Sequence, residues 1–277
     1  MASSIMVGVD GSPHSEAAVE FGLRWAGEYK CRLSGVGVVD EPGMTSGEMV
    51  PIGGGAYKAE RDRTRIKRAS ALAVKWFDAF SARCNAAGVA ASAVTESGDP
   101  VAVLSLEAQR HDLVLLGRQT HFRFESQDSP DDVLQQLIRH APRPVVAVPL
   151  KPEGGRGIVI AYDGSLQAAR AVQAFQATGL GVGRPVHVVH IGNGAGAGSP
   201  PACRAVEFLT AHGIAASVHD VRAADSVAHA LVGACRDLRA GLVVMGAYGR
   251  STLYEFFLGS VTRTMLAESP VPLFLYH

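Results

Sequence analysis

Residues 158–165 read IVIAYDGS and residues 5–12 read IMVGVDGS. Each is an apolar run of strand length that stops at Asp-Gly-Ser and gives way to a stretch of helical period, so each reads as a buried strand, a tight turn and a helix start. The far ends of the two halves repeat as well. LVLLG at 113–117 answers LVVMG at 242–246, and the pairs Pro142, Pro144 and Pro270, Pro272 each precede a last apolar run, Val145 to Val148 and Leu273 to Tyr276. One internal duplication accounts for all of these matches.

Within each half, apolar runs of strand length alternate with longer helical stretches, the pattern of a parallel sheet covered on both faces. The expected fold is α/β: two tandem doubly wound domains, each a five-stranded parallel sheet with helices on both faces. Strands are expected near 4–10, 32–39, 89–95, 112–117 and 144–149, then near 157–162, 185–191, 214–220, 241–246 and 271–276, with a shorter second helix in the second half. The domains run 1–150 and 156–277, joined by Lys151 to Arg156, where Pro and Gly cluster. The Gly-rich loops at 53–55 and 192–199 lack a strand-helix phosphate context and read as flexible connections.

Composition narrows the function. An apolar fraction of 47% against 19% charged residues describes a globular chain. Zero formal net charge and five lysines argue against a dedicated nucleic-acid binder, whose affinity rests on cations neutralising phosphates. The basic run Arg61 to Arg68 sits at helical spacing beside Glu60 and Asp62, as a solvated helix face would. Cys31, Cys84, Cys203 and Cys235 are too far apart for a CxxC pair or a zinc knuckle and read as reduced core thiols. The apolar start Ile5 to Val9 is too short for a signal peptide, and no run of about 18 apolar residues suggests a membrane span. A cytoplasmic location is the expectation.

Chemistry concentrates near the C-terminus, where Gly246, Gly249, Gly259 and Ser260 follow the buried run Leu242 to Met245, and Ser260 opens an apolar-periodic helix. Glycine lets backbone approach a ligand, and amides at a helix start favour an anion. Asp163 ends the first strand of the same half and faces the crevice beyond the strand ends, where it could accept hydrogen bonds from a ribose or base. Asp163 or Ser165 could equally serve as an ordinary helix cap.

The spacing and its setting resemble the nucleotide-binding motif of the universal stress protein family, over nearly the whole chain as two tandem copies. That resemblance implies an ATP site in the second copy, with Mg2+ as a possible companion of the nucleotide. Asp163 would hold the base or ribose end, with Tyr162 contributing mainly backbone, and Ile191 would pack against adenine. Met245 and Gly246 would line the base and ribose side, while Gly249, Gly259 and Ser260 would hold phosphates with Val261 beside them. Arg250 would either neutralise phosphate or be a solvated loop arginine. The family also implies pairing of the two fifth strands, making an intramolecular pseudo-dimer, and is compatible with a homodimer.

The first copy departs from this pattern. Asp10, Gly11, Ser12 and Gly117 are in place, but Thr120 stands at the second glycine and Pro130, Asp131 and Asp132 fall where Gly259 and Ser260 would be, with Glu125 and Asp128 nearby. A proline removes an amide and carboxylates repel polyphosphate, so the first copy is expected to hold no ATP in the family's manner. Its expected roles are structural pairing or the binding of something uncharged or cationic.

Catalytic signatures are absent from the sequence: no GxxxxGK[ST], no GxSxG and no HExxH occur. His187 and His190, three apart on an expected strand, point to opposite faces and cannot share a metal. The chain therefore reads as an ATP-binding protein of stress sensing or regulation. The alternative is a slow ATPase or nucleotide-transfer enzyme on the same scaffold.

Overall fold

The computed structural model describes residues 1–45, 54–122, 133–192, 199–223, 225–248 and 259–277. By internal contacts the chain divides into two compact units, Ser3–Pro142 and Arg143–His277, the second including Met1–Ala2. All ten expected strands are present, shifted by two residues at most at any end.

The first unit contains β1 (Ser4–Gly8), α1 (Pro13–Tyr29), β2 (Arg32–Val39), α2 (Glu41–Thr45), α3 (Gly55–Ala86), β3 (Ala91–Ser97), α4 (Pro100–Ala108), β4 (Leu113–Gly117) and α5 (Val133–His140). Its sheet has the order β3-β2-β1-β4. The pairings that β1 makes with β2 and β4, and that β2 makes with β3, are parallel. The sequence of each strand follows its place. β4 pairs with β1 and reads LVLLG, buried throughout, whereas β3 ends the sheet beyond β2 and reads ASAVTES, exposed at all but one residue. On β2, a Cβ at Gly35 would stand 2.9 Å from the Phe80 ring and one at Gly37 2.6 Å from the Phe77 ring, so two bare positions let aromatic side chains of α3 lie on the strand.

The basic stretch on α3 is only partly the solvated face expected. Arg63, Lys67 and Arg68 are exposed, but Asp62 is buried and accepts from Lys58 Nζ at 2.5 Å and from Arg61 at 3.3 Å. The hydrogen bond from Lys58 and the neighbouring guanidinium hold the Asp62 carboxyl below its usual range.

The second unit contains β5 (Val145–Val148), β6 (Gly157–Ala161), α6 (Leu166–Thr178), β7 (Val186–Ile191), α7 (Pro200–Ala211), β8 (Ala216–Val221), α8 (Val227–Asp237), β9 (Ala240–Gly246), α9 (Ser260–Glu268) and β10 (Leu273–Tyr276). Its strand order is β5-β10-β9-β6-β7-β8. Pairing is parallel from β10 to β8, while β5 runs antiparallel to β10 with Ala147 opposite Leu273 and Val145 opposite Leu275. That ladder places β5 with the second unit. α6 packs on β9 and β10, where Phe175 meets Phe274 edge to face at 6.0 Å; α8 packs on β7 and β9 and against α9. As expected, the second helix of this half is short: α7 has 12 residues where α3 has 32.

The Asp-Gly-Ser turns explain themselves locally. Gly11 and Gly164 take φ of 76° and 78°, a left-handed conformation that suits glycine. Asp10 and Asp163 each accept the amide of the serine two residues on, at 2.9 Å. Ser12 and Ser165 then cap α1 and α6, accepting from Ser15 and Ala168 amides at 3.0 and 3.2 Å. The capping role is therefore real in both copies.

Cys31, Cys84 and Cys235 are free and buried, and Cys203 is free and half-buried. Burial pushes the Cys235 thiol up to about 12. Among the described residues no helix is long and apolar enough to cross a membrane.

Candidate functional site

β6 and β9 are neighbours in the sheet, with Ala161 opposite Met245, and the chain leaves them into α6 and toward α9. Neighbouring strands whose connections diverge leave a crevice at their carboxyl ends, the usual ligand position in such sheets. A cavity of about 360 Å³ lies there, within the size range of small-molecule sites.

Eight of the ten residues expected at the site line this one cavity: Tyr162, Asp163, Ile191, Met245, Gly246, Gly259, Ser260 and Val261. Gly249 and Arg250 lie outside the described residues. The lining divides by chemistry. Val189 and Ile191 from β7, Met245 from β9, and Val227 and Leu231 from α8 form an apolar side, while Asp163, Ser165 and the start of α9 form a polar one. Val227 and Leu231 were not among the expected residues. Their separation of four on a helix puts them on one face, but only the tertiary packing of α8 turns that face toward the crevice.

The start of α9 is the polar feature of most consequence. Gly259 is its N-cap and makes no side-chain capping bond; the first helical bond there is Arg263 N–H to Gly259 C=O at 3.0 Å. Amides of the first helical turn have no partner within a helix. Ser12, Asp99, Ser165 and Ser226 supply side-chain oxygens to α1, α4, α6 and α8, whereas α3 and α7, like α9, start without a side-chain cap. A Cβ on Gly259 would meet no described atom within 4 Å.

Two expected roles take a different physical form. A Cβ on Gly246 would stand 2.6 Å from the Ala168 nitrogen, so this glycine lets β9 abut the start of α6, whatever else passes it. The Tyr162 N–H is already used, donating to Val189 C=O at 3.0 Å, while its carbonyl, 3.2 Å from His190 Nδ1, keeps a second lone pair as an acceptor. Its phenol is shifted up by burial, with the Asp163 charge adding to the shift.

The corresponding crevice of the first unit is filled by its own chain. Asp10 is buried, and its Oδ2 accepts the amides of His121 and Phe122 at 2.9 and 3.1 Å, whereas Asp163 is exposed. Phe122, fully buried with φ of 60°, would be 2.9 Å from a Cβ on Gly8, and the Trp76 indole lies where a Cβ on Gly11 would be. Thr120 is buried beside Gly117. Pro130, Asp131 and Asp132, with Glu125 and Asp128, lie outside the described residues. Trp76 carries no motif and comes from α3, so nothing in the Asp-Gly-Ser segment announces it. His14 and Arg118 border this plugged crevice, both shifted down by burial, Arg118 to about 10.

A larger cavity, about 880 Å³, also belongs to the first unit and is lined by Ser4, Arg32, Ser92 and His111. It sits at the amino ends of the strands, opposite the end where crossover loops and helix starts converge. Size alone does not make it the better site. Among the described residues no group of three or more His, Cys, Asp or Glu side chains is arranged to hold a metal.

The sequence profile of the Universal stress protein family matches residues 1–149 and again 156–277, and the chain belongs to that family as a tandem two-domain member. A universal stress protein from Archaeoglobus fulgidus has a similar fold, with a TM-score of 0.71 at 19% identity over 99% of this chain and 98% of that one. A protein of unknown function from Pseudomonas aeruginosa, PA1789, is similar at a TM-score of 0.59 and 15% identity, covering 99% of this chain and 92% of its own. The chain is also 23% identical over 170 residues to universal stress protein Slr1230 of Synechocystis, and that match spans 60% of this chain and 58% of the relative.

Proposed function

We propose that the second unit holds an adenine nucleotide, ATP with Mg2+ as its counter-ion, and that the chain serves stress adaptation as a nucleotide-dependent regulator. The observation that carries this reading is the pairing, in one crevice, of an apolar side with a helix start whose amides have no side-chain cap. Adenine would lie against Ile191, Val189 and Met245, Asp163 would accept hydrogen bonds from the ribose, and the phosphates would meet the Gly259–Thr262 amides, where the helix dipole favours negative charge. Met245 suits a flat ring because its unbranched thioether adapts to irregular surfaces.

A ligand that binds the folded state stabilises it by mass action, by about 2.7 kcal/mol at a hundred times its dissociation constant. Occupancy would thus report nucleotide level as stability of the second unit. The first unit, with Asp10 engaged and Trp76 over Gly11, would take no nucleotide in this way. Melting curves of the whole chain with and without ATP and Mg2+, together with mass spectrometry of small molecules released from freshly purified protein, test the reading. A nucleotide-dependent upward shift supports it; an unchanged melting curve and no released nucleotide would sink it.

A further inference from the structure

The two repeats differ at a second place. Ser34 on β2 stands opposite Ser92 on β3, and their hydroxyls are hydrogen-bonded at 2.8 Å, with Val94 next along the same face of β3. At the corresponding register of the second unit, His187 on β7 stands opposite Ser217 on β8, with His219 next along. A plain hydroxyl pair in one repeat is replaced by two imidazoles and a hydroxyl in the other.

These three side chains converge on one point. His187 Nδ1 lies 3.0 Å from His219 Nε2 and 3.2 Å from Ser217 Oγ, and Ser217 Oγ lies 3.0 Å from His219 Nε2. The rings meet nearly edge to face, with centroids 4.9 Å apart. Three hydrogen bonds cannot fill this triangle. In a neutral imidazole each nitrogen either donates or accepts, so a closed ring of bonds, in which every corner does both, is ruled out. Two ordinary hydrogen bonds, from one imidazole N–H to Ser217 Oγ and from the Ser217 hydroxyl to the other imidazole nitrogen, use up the available protons, and the nitrogen–nitrogen contact at 3.0 Å is left over.

A metal ion resolves the triangle, because it takes a lone pair from every corner at once. Donors at about 2.1 Å from an ion in adjacent octahedral or square-planar positions stand about 3.0 Å apart. Tetrahedral ligands at that bond length stand about 3.4 Å apart. The observed edges fall near the first figure. Imidazole ligands suit Ni2+, Cu2+ and Zn2+, whereas Mg2+ and Ca2+ prefer oxygen. Ser217 is exposed and both histidines are half-buried, so the ion can enter from solvent and keep water in its remaining positions.

We propose that His187, Ser217 and His219 form a site for one divalent transition-metal ion, with the two imidazole nitrogens as its main ligands. The site is separate from the nucleotide crevice and does not depend on that reading. It lies on the same face of β7 as Val189 and Ile191, one step toward the start of the strand from the apolar lining of the crevice.

The test uses the whole chain without a histidine tag. Titration calorimetry with NiCl2 and ZnCl2, and metal counting after equilibrium dialysis, should show one ion per chain whose affinity falls by at least about tenfold in H187A and in H219A, as loss of a ligand exceeds the usual effect of losing a supporting group. H190A, whose ring lies on the opposite face, should bind as wild type does. H187Q and H219Q, which keep volume and polarity, guard against misfolding, and far-UV circular dichroism checks each variant. In the intact wild type, the imidazole 15N resonances of these two histidines should shift together on adding Zn2+. Metal binding equal in wild type and in the H187Q/H219Q double variant, or no shift of either resonance, would overturn the site and leave a hydrogen-bonded imidazole pair.

Discussion

Asp10 and Asp163 close the same turn in the two repeats, yet Asp10 is 3% exposed and also accepts the His121 and Phe122 amides, while Asp163 is exposed beside a cavity. One residue type at one topological position has become a structural tie in the first unit and a site residue in the second. Asp10→Ala strands buried amides and should cost about 1.5 to 3 kcal/mol, the range for hydrogen bonds to charged groups. The chain's two tryptophans, Trp25 and Trp76, both lie in the first unit. Urea unfolding followed by their fluorescence should therefore register the loss. Asp163→Ala, followed in the second unit by far-UV circular dichroism of the whole chain, should cost about 0.5 kcal/mol or less and weaken the ATP-dependent melting shift. Equal effects on stability would contradict the division of roles.

Gly259 offers a variant in which stability and binding part. Its φ of −55° and ψ of 149° suit a capping residue, and a side chain there has room. Gly259→Asp should cap α9 and raise the melting temperature of the free chain, a gain of about 0.5 to 1 kcal/mol. The same carboxylate would occupy the phosphate position and remove the ATP-induced shift. A variant that still responds fully to ATP would place the phosphates elsewhere.

His14 and His111 are both shifted below their ordinary value of 6.5, chiefly by burial. Each binds its proton more weakly folded than unfolded, so the stability it contributes is present above pH 6.5 and lost as pH falls toward the depressed folded values. The tryptophan-detected urea midpoint should be lower at pH 5.5 than at pH 7.5. A double variant, His14→Gln with His111→Gln, should narrow that difference, and an undiminished difference would assign the effect to other groups.

Thiol chemistry should separate the cysteines. Cys235, pushed up to about 12 by burial, is only about one part in ten thousand thiolate at pH 8, and the thiolate is the reactive form. Cys31 and Cys84 are also buried and shifted up, whereas Cys203 is half-buried. Peptide mapping after brief alkylation of the native chain should find label on Cys203 well before the other three. Early labelling of Cys235 would mean that α8 opens locally far more than its packing suggests.

The strands were readable because their signals are local: apolar runs, left-handed glycines and capping serines act over a few residues, and all three recur in both repeats. The site was readable to the same depth, since the motif residues Asp163, Gly246 and Gly259 are carried to one crevice by the topology they announce. What stayed hidden depends on distant packing. Trp76 reaches Gly11 from a helix some sixty residues along the chain, and Val227 and Leu231 become cavity wall only when α8 docks. Likewise the sequence sets His187 beside His190 on its own strand. Its actual neighbour, His219, comes from β8 through a register that no local pattern specifies.

The antiparallel ladder between β5 and β10 means that covalent connection and cohesion part company in this chain. Residues 151–156 carry the backbone from one repeat to the next, but the strand just before them is already held in the second unit by hydrogen bonds. A nick in that segment would leave β5 seated as a bound peptide. A fragment beginning at residue 156 would instead bare the edge of β10, an apolar strand end open to any extended chain that could replace the missing neighbour. For protein splitting or domain exchange, the natural cut therefore falls before Arg143, ahead of the strand and not behind it.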